Sequence, residues 1–531
     1  MMNGEIDPRE SGKSLQTRNR EESTWRWILA ACFVTIAAAP LYRLTAKSFW
    51  LDEAISAYYS EHGILTIAKM SLLDYVPPLY YWLISVYSTV FGQSDFALRF
   101  FSVFFHVASA VYLYRLVKEH FDKRVSLYVL IFFAASNYLL MRAQTARAYP
   151  LFLFLTMAAI YYFFRASEDG KNRWWPLYAL CLLCSIYTLY LAVATVSALF
   201  VFVAWSAARK LKKWHVRFLL WTFVGLIAFL PWAILLTRAN PSEHPDWFGE
   251  AAASGNVLKD MHVLFIDFFG IETLKDIVGR MGGTVGATLF LCVIGAICLY
   301  SLVAWWNTGR ARKILLFAFL YVFLSLLVNF TLNVFSSVNL SPVERYIFLC
   351  PFVYVVVAAG ISKLPSRVLQ AALMIVLISP NLVAMARTYA SDSVEDWRDV
   401  ARYIGDNWQA DDLIIFVPGY INIAFDRYAG KEHREIGYPK GLMSPDRMYW
   451  GYHAARDSGE ADRFLHENAQ IIDESDRIWL IHSHNIVFDF DKRVPDASMF
   501  TALENKPWLK QELFERFRGV YVYRFQKVNR Q

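Results

Sequence analysis

The sequence predicts an α-helical polytopic membrane protein that carries a small extracytoplasmic α/β domain at its C-terminal end. Three observations predict this fold class. Of the 531 residues, 56% are hydrophobic and 17% aromatic, which is more than a soluble protein usually contains. Apolar runs of membrane-spanning length recur as far as Met385, and the composition beyond that residue becomes that of a soluble chain. The net charge of +7 falls largely in short loops between apolar runs, a pattern that sets topology and does not indicate a nucleic-acid partner.

The membrane spans follow from the length of the apolar runs. Residues 1–26 are polar and contain arginines, and no A-x-A-like cleavage site follows the first apolar run, so we expect a cytoplasmic tail and an uncleaved signal anchor. About eleven crossings then fill residues 27–388. They are predicted at Trp27–Leu44, Phe96–Val117, Val125–Met141, Tyr149–Phe164, Trp174–Tyr187, Leu191–Trp205, Phe218–Leu236, Thr284–Trp306, Ile314–Phe335, Tyr346–Ile361 and Val368–Met385.

The segment Pro77–Phe91 decides which face each later loop occupies. It is apolar but short and begins with two prolines, so we predict an amphipathic helix that lies in the interface and does not cross. With that count the basic clusters Ala208–Arg217, Gly309–Lys313 and Lys363–Arg367 are all cytoplasmic, whereas one more crossing would put all three outside. Residues 174–205 contain no charge to mark a turn, and we predict two short helices there because a single one would reverse every later loop.

Three regions lie on the outer face in this topology: a first loop at residues 49–95, a long loop at 237–283 and a domain at 389–531. In the last region SVEDWRDVARYIGDNW predicts an amphipathic helix, and DDLIIFVPG, RIWLIHSHN and GVYVYRF predict strands. All six cysteines fall in apolar runs, so neither a disulfide framework nor a zinc site is indicated.

Charged residues at the ends of the spans sort to this outer face. They are Asp52, Glu53, Asp74, Arg99, Arg142, Arg147, Glu344 and Arg345. Arginine offers a fixed fork of donors that suits phosphate oxygens. A carboxylate can remove the proton from an attacking hydroxyl or bind a divalent cation. The combination suits a phosphate whose lipid tail stays in the bilayer, such as a glycosyl phosphate that cleaves at its sugar–oxygen bond.

The motifs FWLDEAIS, DYVPPLYYWL, FGQSDFALRFFSV, RAQTARAYPLFLFL and VERYIFLCPF resemble those of the polyprenyl-phosphate-sugar glycosyltransferases of the GT-C superfamily. The most similar branch is the bacterial one related to protein O-mannosyltransferases and lipid A aminoarabinose transferases. The resemblance covers the membrane part of the chain. It implies an inverting enzyme of the bacterial inner membrane that moves a sugar from a polyprenyl-phosphate donor to lipid A, the lipopolysaccharide core, another glycan or a protein, at the periplasmic face.

The same resemblance implies roles for individual residues. Asp52 matches the catalytic base, and we expect only one of Asp52 and Glu53 to reach substrate, because successive helical positions point about 100° apart. The implied donor-phosphate contacts are Arg142, Arg147, Tyr149, Arg345 and Tyr346. Asp74 matches an acidic position before the prolines and, with His262, is the candidate ligand of a divalent cofactor, Mg²⁺, Mn²⁺ or Zn²⁺. Many relatives have His directly before Pro-Pro, and Val76 takes that place here, which counts against a metal site.

Each assignment has a structural alternative. Asp52 and Glu53 are also suited to cap a helix beginning at Ala54. Asp74 is also a common turn residue, and the arginines can serve as interfacial anchors that reach lipid headgroups. A histidine such as His262 is more often an ordinary surface or packed residue than a metal ligand.

Two other functions stay open at this stage. One is a flippase for a lipid-linked saccharide, which would need charges near the bilayer midplane and inverted repeats. The other is a ligase that uses a polyprenyl-diphosphate donor. For the enzyme we expect a monomer or homodimer, with membrane lipids as further partners.

Overall fold

A bundle of helices forms the membrane part of the chain. The computed structural model describes residues 8–170, 172–239, 264–271, 280–335, 343–430, 433–439, 441–446, 448, 459–483 and 498–528. The helices of the membrane part are α1 (Pro8–Leu41), α2 (Leu51–Ser60), α3 (Ile64–Leu73), α4 (Leu79–Phe91), α5 (Asp95–His120), α6 (Lys123–Ala135), α7 (Asn137–Ala143), α8 (Tyr149–Asp169), α9 (Trp174–Thr188), α10 (Ala192–Arg209), α11 (Lys213–Arg238), α12 (Arg280–Ala304), α13 (Gly309–Phe335), α14 (Cys350–Ser362) and α15 (Arg367–Ala390). A 3₁₀ turn at Val343–Tyr346 precedes α14.

The predicted crossings correspond to these helices. Within the described residues, eight helices are long and apolar enough to cross a membrane, and α6 with α7 makes a ninth if the bent pair is one span. The two remaining predicted spans are the shorter helices α9, with 15 residues, and α14, with 13 residues. Every residue of α14 is buried, so its neighbours enclose it. The polytopic fold class is confirmed, and residues 174–205 form the two helices that the loop charges require.

The span predicted at Val125–Met141 is broken. Helices α6 and α7 meet at 60° around Ser136. Ser136 caps the start of α7 with its own side chain, and the Asn381 side chain accepts the Asn137 N–H at 3.0 Å. These acceptors replace the helical bonds that the break removes, as a nonpolar environment requires. Arg142, in the last turn of α7, is buried.

The first loop keeps the chain at one end of the bundle. Arg99, in the second turn of α5, donates to the carbonyl oxygens of Leu44 and Lys47, which directly follow α1. Helix α4 lies on α2, and the Ser88 hydroxyl donates to the Ser60 carbonyl. The end of α1 and the beginning of α5 therefore lie side by side, and α4 does not cross between them. This confirms the predicted helices of the first loop.

A five-stranded sheet forms the centre of the C-terminal domain. Its strands are β1 (Asp412–Val417), β2 (Glu435–Gly437), β3 (Arg477–Ser483), β4 (Leu509–Phe517) and β5 (Val520–Lys527), in the order β2-β1-β3-β5-β4. β1 pairs in parallel with β2 and β3, whereas the β3–β5 and β4–β5 pairs are antiparallel. The accompanying helices are α16 (Trp397–Asn407), α17 (Asn422–Ala429), α18 (Glu460–Glu467), α19 (Ala469–Asp473) and α20 (Ser498–Glu504). The predicted small α/β domain is thus present, and its three predicted strands are β1, β3 and β5.

Alternate residues of β1 contribute to two different cores. Leu413 and Ile415 pack in a core with residues of α18 and α20. Ile414 and Phe416 pack in a core with residues of α16 and α17, and this core continues into the first loop, where it includes Tyr59. Because the apolar cluster runs from the sheet into the first loop, the C-terminal domain and the first loop form one packed unit.

Candidate active site

The two adjacent carboxylates lie in the first turn of α2. This helix begins at Leu51, and the preceding Trp50 provides no side-chain cap. Neither carboxylate therefore caps a helix beginning at Ala54, although both lie near the positive end of the α2 dipole, where a negative charge is favourable. Their side chains point in different directions, as their helical spacing requires, and their surroundings differ.

Glu53 is buried and fully bonded. Its two carboxylate oxygens accept bonds from Arg99 Nε at 2.8 Å and Arg99 Nη2 at 2.7 Å, and Oε1 also accepts the Ala146 N–H at 2.8 Å. The side chain is 1% exposed. Arg99 lies over the Phe49 ring. Glu53 thus links α2 to α5 and to the turn before α8, and this geometry favours a structural role over the predicted catalytic one.

Asp52 reaches the surface and faces an arginine. Its Oδ2 lies 3.0 Å from Arg147 Nη2, and Arg147 Nη1 donates to the Asp52 main-chain carbonyl at 3.0 Å. The exposed fraction of the side chain is 29% for Asp52 and 19% for Arg147. The structure therefore brings together two residues that are 95 positions apart and that the motifs assign to the base and to the donor phosphate.

Asp74 lies near this pair behind tyrosines that the sequence reasoning missed. It follows the last residue of α3, is buried, and accepts a bond from the Tyr59 hydroxyl at 3.3 Å. The Tyr59 ring stacks on Tyr81 with 4.0 Å between centroids. Burial raises the pKa of Tyr81, Arg147 lowers it, and Asp74 and Asp52 raise it. The Tyr81 hydroxyl is therefore within electrostatic reach of both carboxylates and of the arginine.

The described residues do not fit a divalent metal at Asp74. Among them, no group of three or more His, Cys, Asp or Glu side chains is arranged to hold an ion. Tyr59 is a hydrogen-bond partner of Asp74 and not a usual ligand of Mg²⁺, Mn²⁺ or Zn²⁺. His262, the second predicted ligand, lies outside the described residues.

The other predicted phosphate contacts are distributed around the start of α8. Arg142 lies over the Tyr138 ring, 4.3 Å from its centroid, and faces a cavity that Tyr149 also lines. Arg345 and the buried Tyr346 belong to the 3₁₀ turn before α14. Among the ion pairs of the described residues, Asp52 pairs with Arg147.

The cavity beside Arg142 has a volume of about 260 Å³. It lies between the end of α1, the end of α7 and the end of α15, and its lining includes Glu53, Arg99 and Tyr149. Besides Arg99, its lining contains three cations, Arg43, Lys47 and Arg142.

The C-terminal domain supplies the missing cap of α2. Glu395 Oε2 accepts the Leu51 N–H and the Trp397 indole N–H, both at 2.8 Å, and Glu395 is buried. The approach to α2 is held in the same way: Ser393 Oγ accepts the Ser48 N–H at 3.0 Å. No local pattern identifies these acceptors, because each lies more than 340 positions from its donor.

A second contact holds the domain at the start of α5. The Asp95 carboxylate lies 2.9 Å from Arg427 Nη2 and 3.0 Å from Arg398 Nη2, and it accepts a bond from the Tyr428 hydroxyl at 2.8 Å. The Tyr428 oxygen in turn accepts the Phe49 N–H at 2.7 Å. Residues of α16 and α17 therefore fix the first loop from two sides.

Comparisons with known proteins agree with this architecture. Residues 75–235 match the family model described as dolichyl-phosphate-mannose-protein mannosyltransferase. No curated protein sequence matches the chain significantly.

Three solved structures share the fold. ArnT from Cupriavidus metallidurans in the apo state has a TM-score of 0.56 at 12% identity, covering 95% of this chain and 98% of that one. The same protein bound to undecaprenyl phosphate has a TM-score of 0.53 at 12% identity, covering 94% and 97%. The archaeal oligosaccharyltransferase AglB from Archaeoglobus fulgidus, in complex with an inhibitory peptide and a dolichol-phosphate, has a TM-score of 0.51 at 11% identity, covering 94% and 74%. The GT-C-like architecture predicted from the motifs is confirmed.

Proposed function

We propose that this chain is a GT-C glycosyltransferase related to the protein mannosyltransferases and to ArnT, as its motifs predict. The enzyme transfers a sugar, with inversion, from a polyprenyl-phosphate-linked donor to a cell-envelope acceptor at the periplasmic face of a bacterial inner membrane. The observation that carries this proposal is the partly exposed Asp52–Arg147 pair at the first-loop end of the bundle. An acid and a phosphate-binding cation stand there side by side.

The geometry suggests how the donor activates the base. In the free enzyme Arg147 pairs with the Asp52 carboxylate. A donor phosphate competes for Arg147 Nη2, while Nη1 keeps its bond to the Asp52 main-chain carbonyl. The arginine thus turns from the carboxylate to the phosphate without leaving the site. Asp52 becomes available only when the donor is bound.

The chemical step is a displacement at the anomeric carbon of the donor sugar. Asp52 takes the proton of the acceptor hydroxyl, and the hydroxyl oxygen attacks the anomeric carbon from the face opposite the phosphate. The bond between the anomeric carbon and the phosphate oxygen breaks, and its electron pair leaves with the polyprenyl phosphate. Arg147 stabilises the charge that grows on this leaving group. The products are an inverted glycoside and the carrier phosphate.

Two further observations support the donor and the orientation. ArnT has been crystallised with undecaprenyl phosphate and AglB with a dolichol-phosphate, so two proteins of this fold bind lipid monophosphates. The opposite end of the bundle carries its own ion pairs, such as Lys313–Glu168 and Arg165–Glu119. With the basic loop clusters assigned to the cytoplasm, the Asp52 end faces the periplasm.

The test replaces the base without changing its shape. In a deletion strain complemented with Asp52→Asn, we expect the glycan modification to be lost, because removing acid–base catalysis costs about 10² to 10⁴ in rate. Mass spectrometry of the cell-envelope glycans measures the result, and the mass difference between parent and deletion strain gives the sugar class. Glu119→Gln is the matched control, since it removes a carboxylate–arginine pair at the other end of the bundle. Full modification with Asp52→Asn would refute the assigned base.

An alternative function is that of an oligosaccharide ligase with a diphosphate donor, because the chain shares its fold with the oligosaccharyltransferase AglB. Purified enzyme offered matched lipid monophosphate and diphosphate sugars separates the two, and we expect turnover only with the monophosphate. A flippase would instead move either lipid across the bilayer without forming a new glycoside.

A further inference from the structure

We propose that the cavity between the ends of α1, α7 and α15 is a second anion site, which binds the phosphate of an anionic lipid separately from the donor phosphate at Arg147. The inference goes beyond the proposed reaction. It rests on the geometry of Arg43, Lys47 and Arg142 around one space of about 260 Å³.

The lining of the cavity carries a net positive charge. The one carboxylate in the cavity lining, Glu53, is already neutralised by two bonds from Arg99. Arg43 Nη1 donates to the Tyr389 carbonyl at 2.8 Å, and Lys47 Nζ donates to the Thr388 carbonyl at 2.8 Å. Carbonyl oxygens orient the two cations but carry no net charge. Within the described part of the chain, neither Arg43 nor Lys47 has a carboxylate within ion-pair distance.

This arrangement of cations has an energetic cost. Burial lowers the pKa of Lys47, the neighbouring cations Arg518, Arg99 and Arg43 lower it further, and Asp392 offsets part of this by raising it. Arg43 also has a left-handed backbone, with φ of 55°, which is rare for a residue other than glycine. Strained backbone and crowded like charges persist where the surrounding structure holds them, and they concentrate at binding sites. A bound anion relieves the repulsion between the cations.

Exposed apolar side chains beside the cavity indicate that the anion is part of an amphiphile. Met141 lines the cavity and is 41% exposed, and Tyr42, which packs edge-on against the lining residue Tyr389, is 61% exposed. These apolar groups lie at the ends of membrane helices, at the level where lipid headgroups meet acyl chains. A phosphate can therefore enter between the cations while its tail remains in the bilayer.

The site is separate from the one at Asp52. The buried Glu53–Arg99 pair is part of the cavity lining, and Glu53 also accepts the Ala146 N–H. Neither Asp52 nor Arg147 lines the cavity. The cavity therefore has its own cations, while its lining residue Tyr149 also lies beside Arg147, 5.8 Å from ring centroid to guanidinium carbon.

The experiment measures lipid binding by the full-length protein. The probes are undecaprenyl phosphate and phosphatidylglycerol, titrated in nanodiscs or detergent and read by native mass spectrometry. We expect the double variant Arg43→Gln, Lys47→Gln to lose about 100-fold in affinity for the lipid that fits the site, since each charge-assisted contact is worth about tenfold. Loss for phosphatidylglycerol supports a site for an anionic phospholipid, whereas loss for undecaprenyl phosphate alone would assign the cavity to the carrier of the proposed reaction and overturn a second site.

Three controls keep the result interpretable. Lys47→Arg retains the charge and should bind as the wild type does. Arg398→Gln also removes a cation that donates to the first loop, through the Thr45 carbonyl, but it does not line the cavity and should leave binding unchanged. Asp52→Asn should bind normally, so failure of the proposed reaction does not affect this test. Equal affinity of wild type and double variant for both lipids would overturn the second site, as would loss of phosphatidylglycerol binding in Arg147→Gln.

Discussion

Replacement of Glu395 by alanine tests whether the C-terminal domain positions α2, the helix that carries the proposed base Asp52. The substitution leaves two buried donors, the Leu51 N–H and the Trp397 indole N–H, without their acceptor. An unsatisfied buried donor costs about 1–3 kcal/mol, so the pair should cost about 2–6 kcal/mol of stability. The loss of a negative charge at the start of α2 adds up to about 2 kcal/mol in a partly buried setting. Asp52 is the next residue after Leu51, so its position depends directly on this cap.

The effect on activity should exceed the effect on binding. A shift of about 1 Å in a catalytic group can cost about 100-fold in rate, so we expect kcat of Glu395→Ala to fall about 10- to 100-fold with a smaller change in KM. Sugar transfer by purified enzyme and thermal unfolding in detergent measure the two effects. Glu395→Gln keeps one acceptor oxygen and should recover most of the activity. Asp392→Ala, which removes an exposed carboxylate from the same linker, should behave as wild type. A Glu395→Ala enzyme with normal kcat would show that the domain does not position Asp52.

Three further predictions concern other ionisable groups. Glu53→Gln should lower the free energy of unfolding by about 3–5 kcal/mol, because it leaves the Arg99 guanidinium buried without its counter-charge, and a drop in unfolding temperature measures this. Arg147→Lys should raise the KM for the donor, because lysine keeps the charge but loses the fork. Sugar-transfer kinetics at varied donor concentration measure this. Burial and the neighbouring Asp426 raise the pKa of Glu435 from its ordinary 4.5 to about 9. The folded state then holds a proton that the unfolded state releases, so stability of the C-terminal domain should decline as pH rises from 4.5 to about 9. Hydrogen exchange of β2 in the full chain measures the decline, and Glu435→Gln should abolish it.

Much of the membrane part can be predicted from sequence because hydropathy and loop charge are local signals. Loop charge alone separates the two helices in residues 174–205, and the prolines before α4 mark a helix that stays at one face. The convergence of Asp52 and Arg147 also follows, since both belong to motifs at the same end of predicted spans. These features depend on the nearby sequence and on the count of crossings.

The remaining features depend on contacts that no local pattern records. The bend at Ser136 is fixed by Asn381, which lies in a different helix. The division of labour between Asp52 and Glu53 depends on Arg99, and the cap of α2 depends on Glu395. Strand β4 was missed because its charged, exposed residues suit an edge position and lack the apolar alternation of a buried strand.

The cap on α2 also has a consequence for biogenesis. Its acceptor is encoded 344 positions after its donor, beyond the last membrane helix. A nascent chain that is still being translated and inserted therefore exposes the Asp52 loop before the residue that completes it has left the ribosome. The cap of α2 can therefore form only when synthesis has passed the whole bundle.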